Sequence, residues 1–360
     1  MALPEEVLKI TKKINKKYGD DTLITADQGE KLKINWHTTG LSNLDLATKP
    51  NTGTGGIPQG RLIEIYGPQK SGKTSLCLSV IAEAQKEDKV CAFFDAENGY
   101  NPFFAKNVMG VSNEDLIISR TQAGETALNT IEAMIVSGTI DLIVLDSVAA
   151  LPSEAILKED MQQQHVAREA RMWSQALKKI KGLMAKYNTT FILINQLRED
   201  PGTRYGNPID TPGGNAIKFY SDMRIEVKSR DVYRTGSGDD REDIGHKIRF
   251  RIIKNKAGTS GGSAIADFYY DKGFNQEKIL IDTALESGII DQSGSWFTYE
   301  PLNETLGDFK EQGKDSLLDA MKEHDRYDEV LDDIRIRVNN PELTRGDFNE
   351  SEDAHFVKAG

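Results

Sequence analysis

Cysteine is nearly absent from this 360-residue chain: only Cys77 and Cys91 occur, each inside an apolar run, and their spacing fits no zinc knuckle. Both are expected to be plain buried thiols. Also missing is any apolar stretch long enough to span a bilayer. The opening residues, MALPEEVLKITKKINKKYG, contain no continuous apolar run before a small-residue cleavage site, so they read as structure retained in the mature chain. A cytoplasmic protein with no membrane partner is expected. Nor is there a basic excess: 45 Lys and Arg stand against 56 Asp and Glu, a net charge of −11, which by itself argues against general affinity for nucleic acid. No internal repeat is visible.

What is present is an ordinary globular balance, 38% hydrophobic and 28% charged, in a chain long enough for one large domain with additions. Charge is unevenly placed. Glu323 to Asp353 carries eleven Asp and Glu, while Arg168 to Lys186 carries six Lys and Arg against one Glu, so a basic face and an acidic tail can coexist. Val7, Ile10 and Ile14 recur at helical spacing and predict a short amphipathic helix from Pro4 to Tyr18. Asp20 to Lys33 reads as polar loop, and the Gly-rich NTGTGGIPQG, Asn51 to Gly60, leads into the strand RLIEIYG. Beyond it the apolar runs VCAFFDAE, DLIVLDSVAAL, TTFILINQL and DMRIEVKS alternate with amphipathic helices, which implies a mostly parallel sheet covered on both faces. After Phe274 the pattern shifts to short helices, with GSWFTYE as a small strand. The expected domains are an N-terminal helix and arm (1–34), an α/β core (35–274), a small C-terminal α/β domain (275–340) and an acidic disordered tail (341–360).

The chemistry begins at Gly67-Pro68-Gln69-Lys70-Ser71-Gly72-Lys73-Thr74, a phosphate-loop pattern directly after a strand and before a helix. Glycines let backbone N–H groups face phosphates, the helix N-terminus adds positive charge, Lys73 reaches the terminal phosphates and the Thr74 hydroxyl can hold Mg²⁺. Ser75 follows in the helix. Asp146 closes the strand DLIVLD, where a carboxylate faces the metal. Alone it would more often be a helix cap; beside a phosphate loop, metal support is the better reading. Glu97 ends VCAFFDAE and can act on the attacking water, but spacing does not choose between Glu97 and Asp95.

The stretches IYGPQKSGKT, FFDAENGYNP, LIVLDSVAAL, LINQLR, YGNP…TPGGNAIKFY and KNKAG occur in the order and at the spacings of bacterial RecA-type recombinases, over roughly residues 38 to 299, and the chain resembles that family. The resemblance implies a RecA-type P-loop ATPase core that uses ATP and Mg²⁺. Within it Glu97 is the catalytic carboxylate, Gln196 senses the γ-phosphate, and Lys254 and Lys256 reach the nucleotide of a neighbouring subunit. Asn101, Phe104 and Tyr270 fall where the family holds adenine. The family usually has Asp and Tyr at the first two, so Phe104 keeps a stacking ring without its hydroxyl. Such departures point to a divergent or virus-encoded member.

Two loops follow the strands carrying Asp146 and Gln196: Asp160 to Ala167, and Leu197 to Thr211. The resemblance makes both DNA-binding. Arg171, Arg198, Lys218 and Arg224, with the amides of Gly213, Gly214 and Asn215, are the candidates for phosphate contact, and Val166 and Pro201 could wedge between bases. Glu199 and Asp200 stand where the family is usually apolar or basic. Backbone contact that leaves base edges free is what a homology search needs. Implied partners are single-stranded DNA, a homologous duplex and further copies of the chain, joined head to tail into a helical filament to which the N-terminal helix and Phe219 contribute. The expected function is ATP-dependent homologous pairing and strand exchange. A hexameric RecA-fold helicase is the alternative, and it would lack the NQLR…TPGGNAIKFY and KNKAG signatures.

Overall fold

The computed structural model describes residues 3–19, 22–25, 34–50, 55–158, 166–199, 209–210, 212–236, 241–340 and 343. It comprises two units, 1–35 and 36–360. The first contains the expected helix, α1 (Glu5–Tyr18), with Glu5 and Glu6 in its first turn and Lys16 and Lys17 in its last, charges that complement the helix dipole. Val7, Leu8 and Ile10 are exposed along it.

In the second unit, α2 (Ser42–Thr48) lies between β1 (Trp36–His37) and β2 (Ile57–Pro58), which pair antiparallel. Strands and helices then alternate: β3 (Leu62–Gly67), α3 (Lys73–Lys86), β4 (Cys91–Asp95), α4 (Pro102–Asn107), β5 (Leu116–Ser119), α5 (Gly124–Ser137), β6 (Leu142–Asp146), α6 (Glu154–Lys158), α7 (Val166–Tyr187) and β7 (Thr190–Gln196). A two-residue antiparallel pair follows, β8 (Arg198–Glu199) with β9 (Ile209–Asp210). Next come α8 (Gly214–Tyr220), β10 (Met223–Thr235), β11 (Glu242–Asn255), β12 (Ser263–Tyr269) and β13 (Gly273–Phe274).

Nine of these strands form one sheet in the order β13-β12-β11-β10-β3-β7-β6-β4-β5. From β10 to β5 every pairing is parallel; β11, β12 and β13 add an antiparallel edge. The apolar runs are continuous because both faces are buried. Ile63, Ile65, Phe93, Val144, Ile192 and Ile194 pack with Leu76, Val80 and Ile81 of α3. The alternate residues Leu62, Ala92, Phe94, Ile143, Leu145, Phe191 and Leu193 pack with Ile131 of α5 and Trp173 and Leu177 of α7. The strand predicted from DMRIEVKS runs on to Thr235, paired with β11 as far as Thr235↔Glu242. From Lys228 to Asp231 its side chains are exposed, so this half carries no apolar signal.

Farther along lie α9 (Gln276–Glu286), β14 (Ile290–Ser293), β15 (Trp296–Tyr299), β16 (Phe309–Gln312), α10 (Lys314–Lys322) and α11 (Tyr327–Asn339). The three strands make a separate antiparallel sheet. Phe297, Tyr299 and Phe309 share a core with Leu317, Met321, Ile334 and Val338. The acidic tail expected at 341–360 lies outside the described residues apart from Leu343. Among the described residues no helix is long and apolar enough to cross a membrane.

Candidate nucleotide and DNA site

Gly67 ends β3 where β10 passes so closely that an added Cβ would stand 2.0 Å from the Val227 carbonyl oxygen. Only glycine allows that approach. The chain then turns through Gly72, at φ 97°, into α3, and a Cβ there would meet Ile248 Cδ1 at 2.3 Å. Among the described residues no side chain caps α3, which leaves its first amides for an anion at the positive end of the dipole. Lys73 is buried, and its Nζ donates to the carbonyls of Gly67 at 3.1 Å and Pro68 at 2.6 Å. Burial lowers its pKa, opposed by the charges of Asp146 and Glu97. The buried Ser71 hydroxyl has no hydrogen-bond partner among the described residues. Pro68, Gln69 and Lys70 form an exposed rim, with Ser75 half-buried in the first turn of α3. Unsatisfied amides, an orphan hydroxyl and a buried ammonium together fit a polyphosphate.

Thr74 Oγ1 donates to Asp146 Oδ2 at 2.6 Å. Burial first, then the charge of Glu97, pushes the Asp146 carboxyl up to about 6 despite the Thr74 hydrogen bond. A hydroxyl and a desolvated carboxylate in contact suit a hard divalent cation. Among the described residues no group of three or more His, Cys, Asp or Glu forms a protein-only metal cage, so such an ion would depend on these two residues plus phosphate.

Hydrogen bonding sets Asp95 and Glu97 apart. Asp95 is buried and both its oxygens are taken, accepting from the amides of Gly99 at 2.9 Å and Tyr100 at 3.1 Å. Glu97 is exposed. Its Oε1 accepts from Gln196 Nε2 at 2.7 Å and from the buried Ser147 hydroxyl. Strand register explains the meeting: Gly67 lies opposite Gln196 and Asp95 opposite Asp146, so four strand ends deliver one cluster. Sequence reasoning missed Ser147, whose only signal is its place directly after Asp146.

Asn101 caps α4, its Oδ1 accepting from the amides of Phe103 at 3.0 Å and Phe104 at 3.1 Å. Its amide group would have to serve any base contact. The Phe104 ring is half-buried against the core, whereas Phe103 is 72% exposed. Tyr270 follows β12, and its hydroxyl lies 3.3 Å from His246 Nδ1. Gly273, after it, sits so near the end of α4 that a Cβ would meet the Val108 carbonyl oxygen at 2.8 Å. This approach brings the chain just after Tyr270 next to the helix that Asn101 caps.

Lys254 and Lys256 do not approach their own phosphate loop. Lys254 pairs in register with Arg224, itself opposite Glu64, three residues before Gly67. Its Nζ donates to the carbonyls of Lys218 at 2.9 Å and Phe219 at 3.2 Å. Lys256 Nζ stands 3.9 Å from Asp222 Oδ1.

The DNA candidates separate into groups. Arg171 is exposed on α7 and Asn215 on α8. Gly213 and Gly214 enter α8 at φ 86° and 68°; a Cβ on Gly213 would meet Ile217 Cδ1 at 2.3 Å. Lys218 is half-buried on α8. Arg224 is not at an open surface. Its guanidinium is ion-paired through Nε with the fully buried Glu64 and lies 4.6 Å from the Tyr66 ring centre, which ties it to the core. Glu64 also accepts from Asn195 Nδ2 at 3.0 Å, and Asn195 reaches the Pro212 carbonyl at 3.0 Å. Val166 begins α7 and Arg198 lies in β8. Pro201 and Asp200, with the loop residues 160–165 and 201–208, lie outside the described residues.

Residues 5–275 match the model of the RecA N-terminal domain and residues 278–340 that of the RecA C-terminal domain. Among curated relatives, Protein RecA of Thermus thermophilus is 41% identical over 328 residues, 91% of each chain. Protein RecA of Campylobacter jejuni is 40% identical over 343 residues, 95% of each chain, and that of Oceanobacillus iheyensis 39% identical over 343 residues, 95% of this chain and 94% of the relative.

Proposed function

This chain belongs to the RecA family and is an ATP-dependent DNA recombinase and DNA-dependent ATPase, and from that premise we propose which of its residues carry the cycle. The phosphate loop, with Lys73 and the amides that open α3, binds the polyphosphate of ATP. Thr74 and Asp146 hold Mg²⁺, which when bound neutralises charge on the phosphates. Glu97 orients the attacking water and accepts its proton. Asn101, Phe104 and Tyr270 border the base. Single-stranded DNA, and then a homologous duplex, is held through phosphates by Arg171, Lys218, Arg198 and the amides of Gly213, Gly214 and Asn215, with Val166 and Pro201 between bases.

One observation carries the coupling of ATP to DNA: Gln196 at the end of β7 donates to Glu97, and the segment it leads into returns at Pro212, held by the adjacent Asn195. A γ-phosphate that draws Gln196 away from Glu97 moves the strand end from which the second DNA segment departs, and bound DNA acts in reverse.

Lys254 and Lys256 act in trans. They stand level with the first half of β3, away from their own phosphate loop, and would add positive charge to a neighbour's γ-phosphate across a head-to-tail contact. The N-terminal arm (1–34) and Phe219, 72% exposed beside Tyr220, serve that contact, and the acidic tail (341–360) competes with DNA for the basic groove. A cytoplasmic location accords with this work. The ring helicase is not favoured, since both RecA domains are matched. Electron microscopy with single-stranded DNA and a non-hydrolysable ATP analogue tests the assembly: helical filaments are expected, and closed hexameric rings would refute it.

A further inference from the structure

Lysines that act in trans need a fixed pose, and the Lys256 side chain is 56% exposed. What holds them is the segment that follows α8. Asp222 touches this pair from both its main chain and its side chain. Its carbonyl accepts the Lys256 amide at 2.9 Å, and its Oδ1 faces Lys256 Nζ. The other carboxylate oxygen, Oδ2, is taken by the ammonium of Lys181 on α7 and by the Leu62 amide of β3 at 3.3 Å. Lys181 also donates to the Tyr220 carbonyl at 2.7 Å. The Asp222 side chain is only 8% exposed, so its charge is desolvated and must be balanced. Lys254, two residues earlier, rests on the carbonyls that end α8. One carboxylate thus locks α7, the start of β3, the end of α8 and the lysine-bearing end of β11 together.

We propose that Asp222, balanced by Lys181, is a positioning residue that presents Lys254 and Lys256 to the neighbouring subunit's nucleotide. This rests on the reading that those lysines act in trans. A misplacement of about 1 Å at such a distance from the chemistry can cost orders of magnitude in rate, and α8, whose first turn holds the DNA-side amides of Gly214 and Asn215, becomes the lever between bound DNA and the lysines.

The test uses mixed filaments on single-stranded DNA. Acceptor subunits carry Lys254→Ala and Lys256→Ala, with an intact phosphate loop. Donor subunits carry Lys73→Ala, with intact lysines. Hydrolysis in the mixture reads donor-to-acceptor action alone. Adding Asp222→Asn to the donor should lower the recovered kcat about tenfold while leaving the KM for ATP, set by the acceptor, unchanged. Filament length is measured on the same samples. Because Asp222→Asn strands the Lys181 charge, a second donor carries Asp222→Asn with Lys181→Met. Its thermal stability should return, but its donor activity should not. The proposal is overturned if the Asp222→Asn donor works as well as the original, if activity returns together with stability in the double variant, or if the loss traces to missing filaments. No recovery even with the original donor overturns the trans reading itself, and this proposal with it.

Discussion

At the level of single residues, environment rather than residue type distinguishes the two carboxylates after β4. Asp95 spends both oxygens on backbone amides, whereas Glu97 keeps one oxygen clear of the bonds made by Ser147 and Gln196. Glu97→Gln should therefore retain ATP and DNA binding and lose about 100-fold or more in kcat, the scale of general-base catalysis. Asp95→Asn should instead lower thermal stability and raise KM. Single-turnover hydrolysis separates the two, and a normal rate in Glu97→Gln would reassign the base. His37 is a second case. It is buried, with Nε2 3.0 Å from Thr190 Oγ1, and burial lowers its pKa from 6.5 to about 4. The unfolded chain binds the proton more readily, so stability is full above pH 6.5 and is lost as pH falls toward 4, by about 2 kcal/mol at pH 5. Asp45, pushed up to about 6 by burial, titrates with the opposite sign. Urea unfolding at pH 7.5 and 5 of wild type and His37→Gln isolates the histidine, and an equal pH dependence in both would discount it.

At the level of elements, the buried pair Glu64–Arg224 spans β3 and β10, and Asn195 extends it to β7 and on to Pro212. Removing one charge from such a pair strands the other without water. Arg224→Met should cost about 3–5 kcal/mol, and Glu64→Leu combined with it should recover most of that. Chemical denaturation of the single and double variants measures the difference. If Arg224→Met were stable and impaired only in DNA binding, Arg224 would be a phosphate contact after all. The family resemblance made Arg224 a candidate for phosphate contact. The buried Glu64 opposite carries no mark of burial except its place inside the apolar run LIEIYG.

At the level of the whole molecule, a net charge of −11 must be reconciled with DNA binding. Phosphate recognition depends on local density, which in the proposed reading α7 and the residues around α8 supply. Affinity for single-stranded DNA should fall steeply and linearly on a log–log scale with salt, while differing little among sequences at fixed salt. Fluorescence anisotropy with several oligonucleotides of one length checks both; strong preference for one sequence would argue against strand exchange. If, as proposed, the lysines and the phosphate loop of one site come from different subunits, ATPase activity should also rise more than proportionally with protein concentration once DNA is present. Strict proportionality at all concentrations would place the whole site in one chain.

The phosphate loop, Asp146 and the parallel core were legible because each is local. A turn, a helix start and a doubly buried strand leave their demands on consecutive residues, as in GPQKSGKT and DLIVLD. Which of Asp95 and Glu97 is available, that Ser147 and Gln196 converge on one oxygen, that Arg224 is spent on Glu64, and that Lys254 rests on α8 were decided by tertiary structure alone. Apart from the local turn that occupies Asp95, those facts depend on strand order and register, which bring together residues 35 to 160 positions apart, and on burial, which sets whether a charge is free or already neutralised. No periodicity along the chain records either.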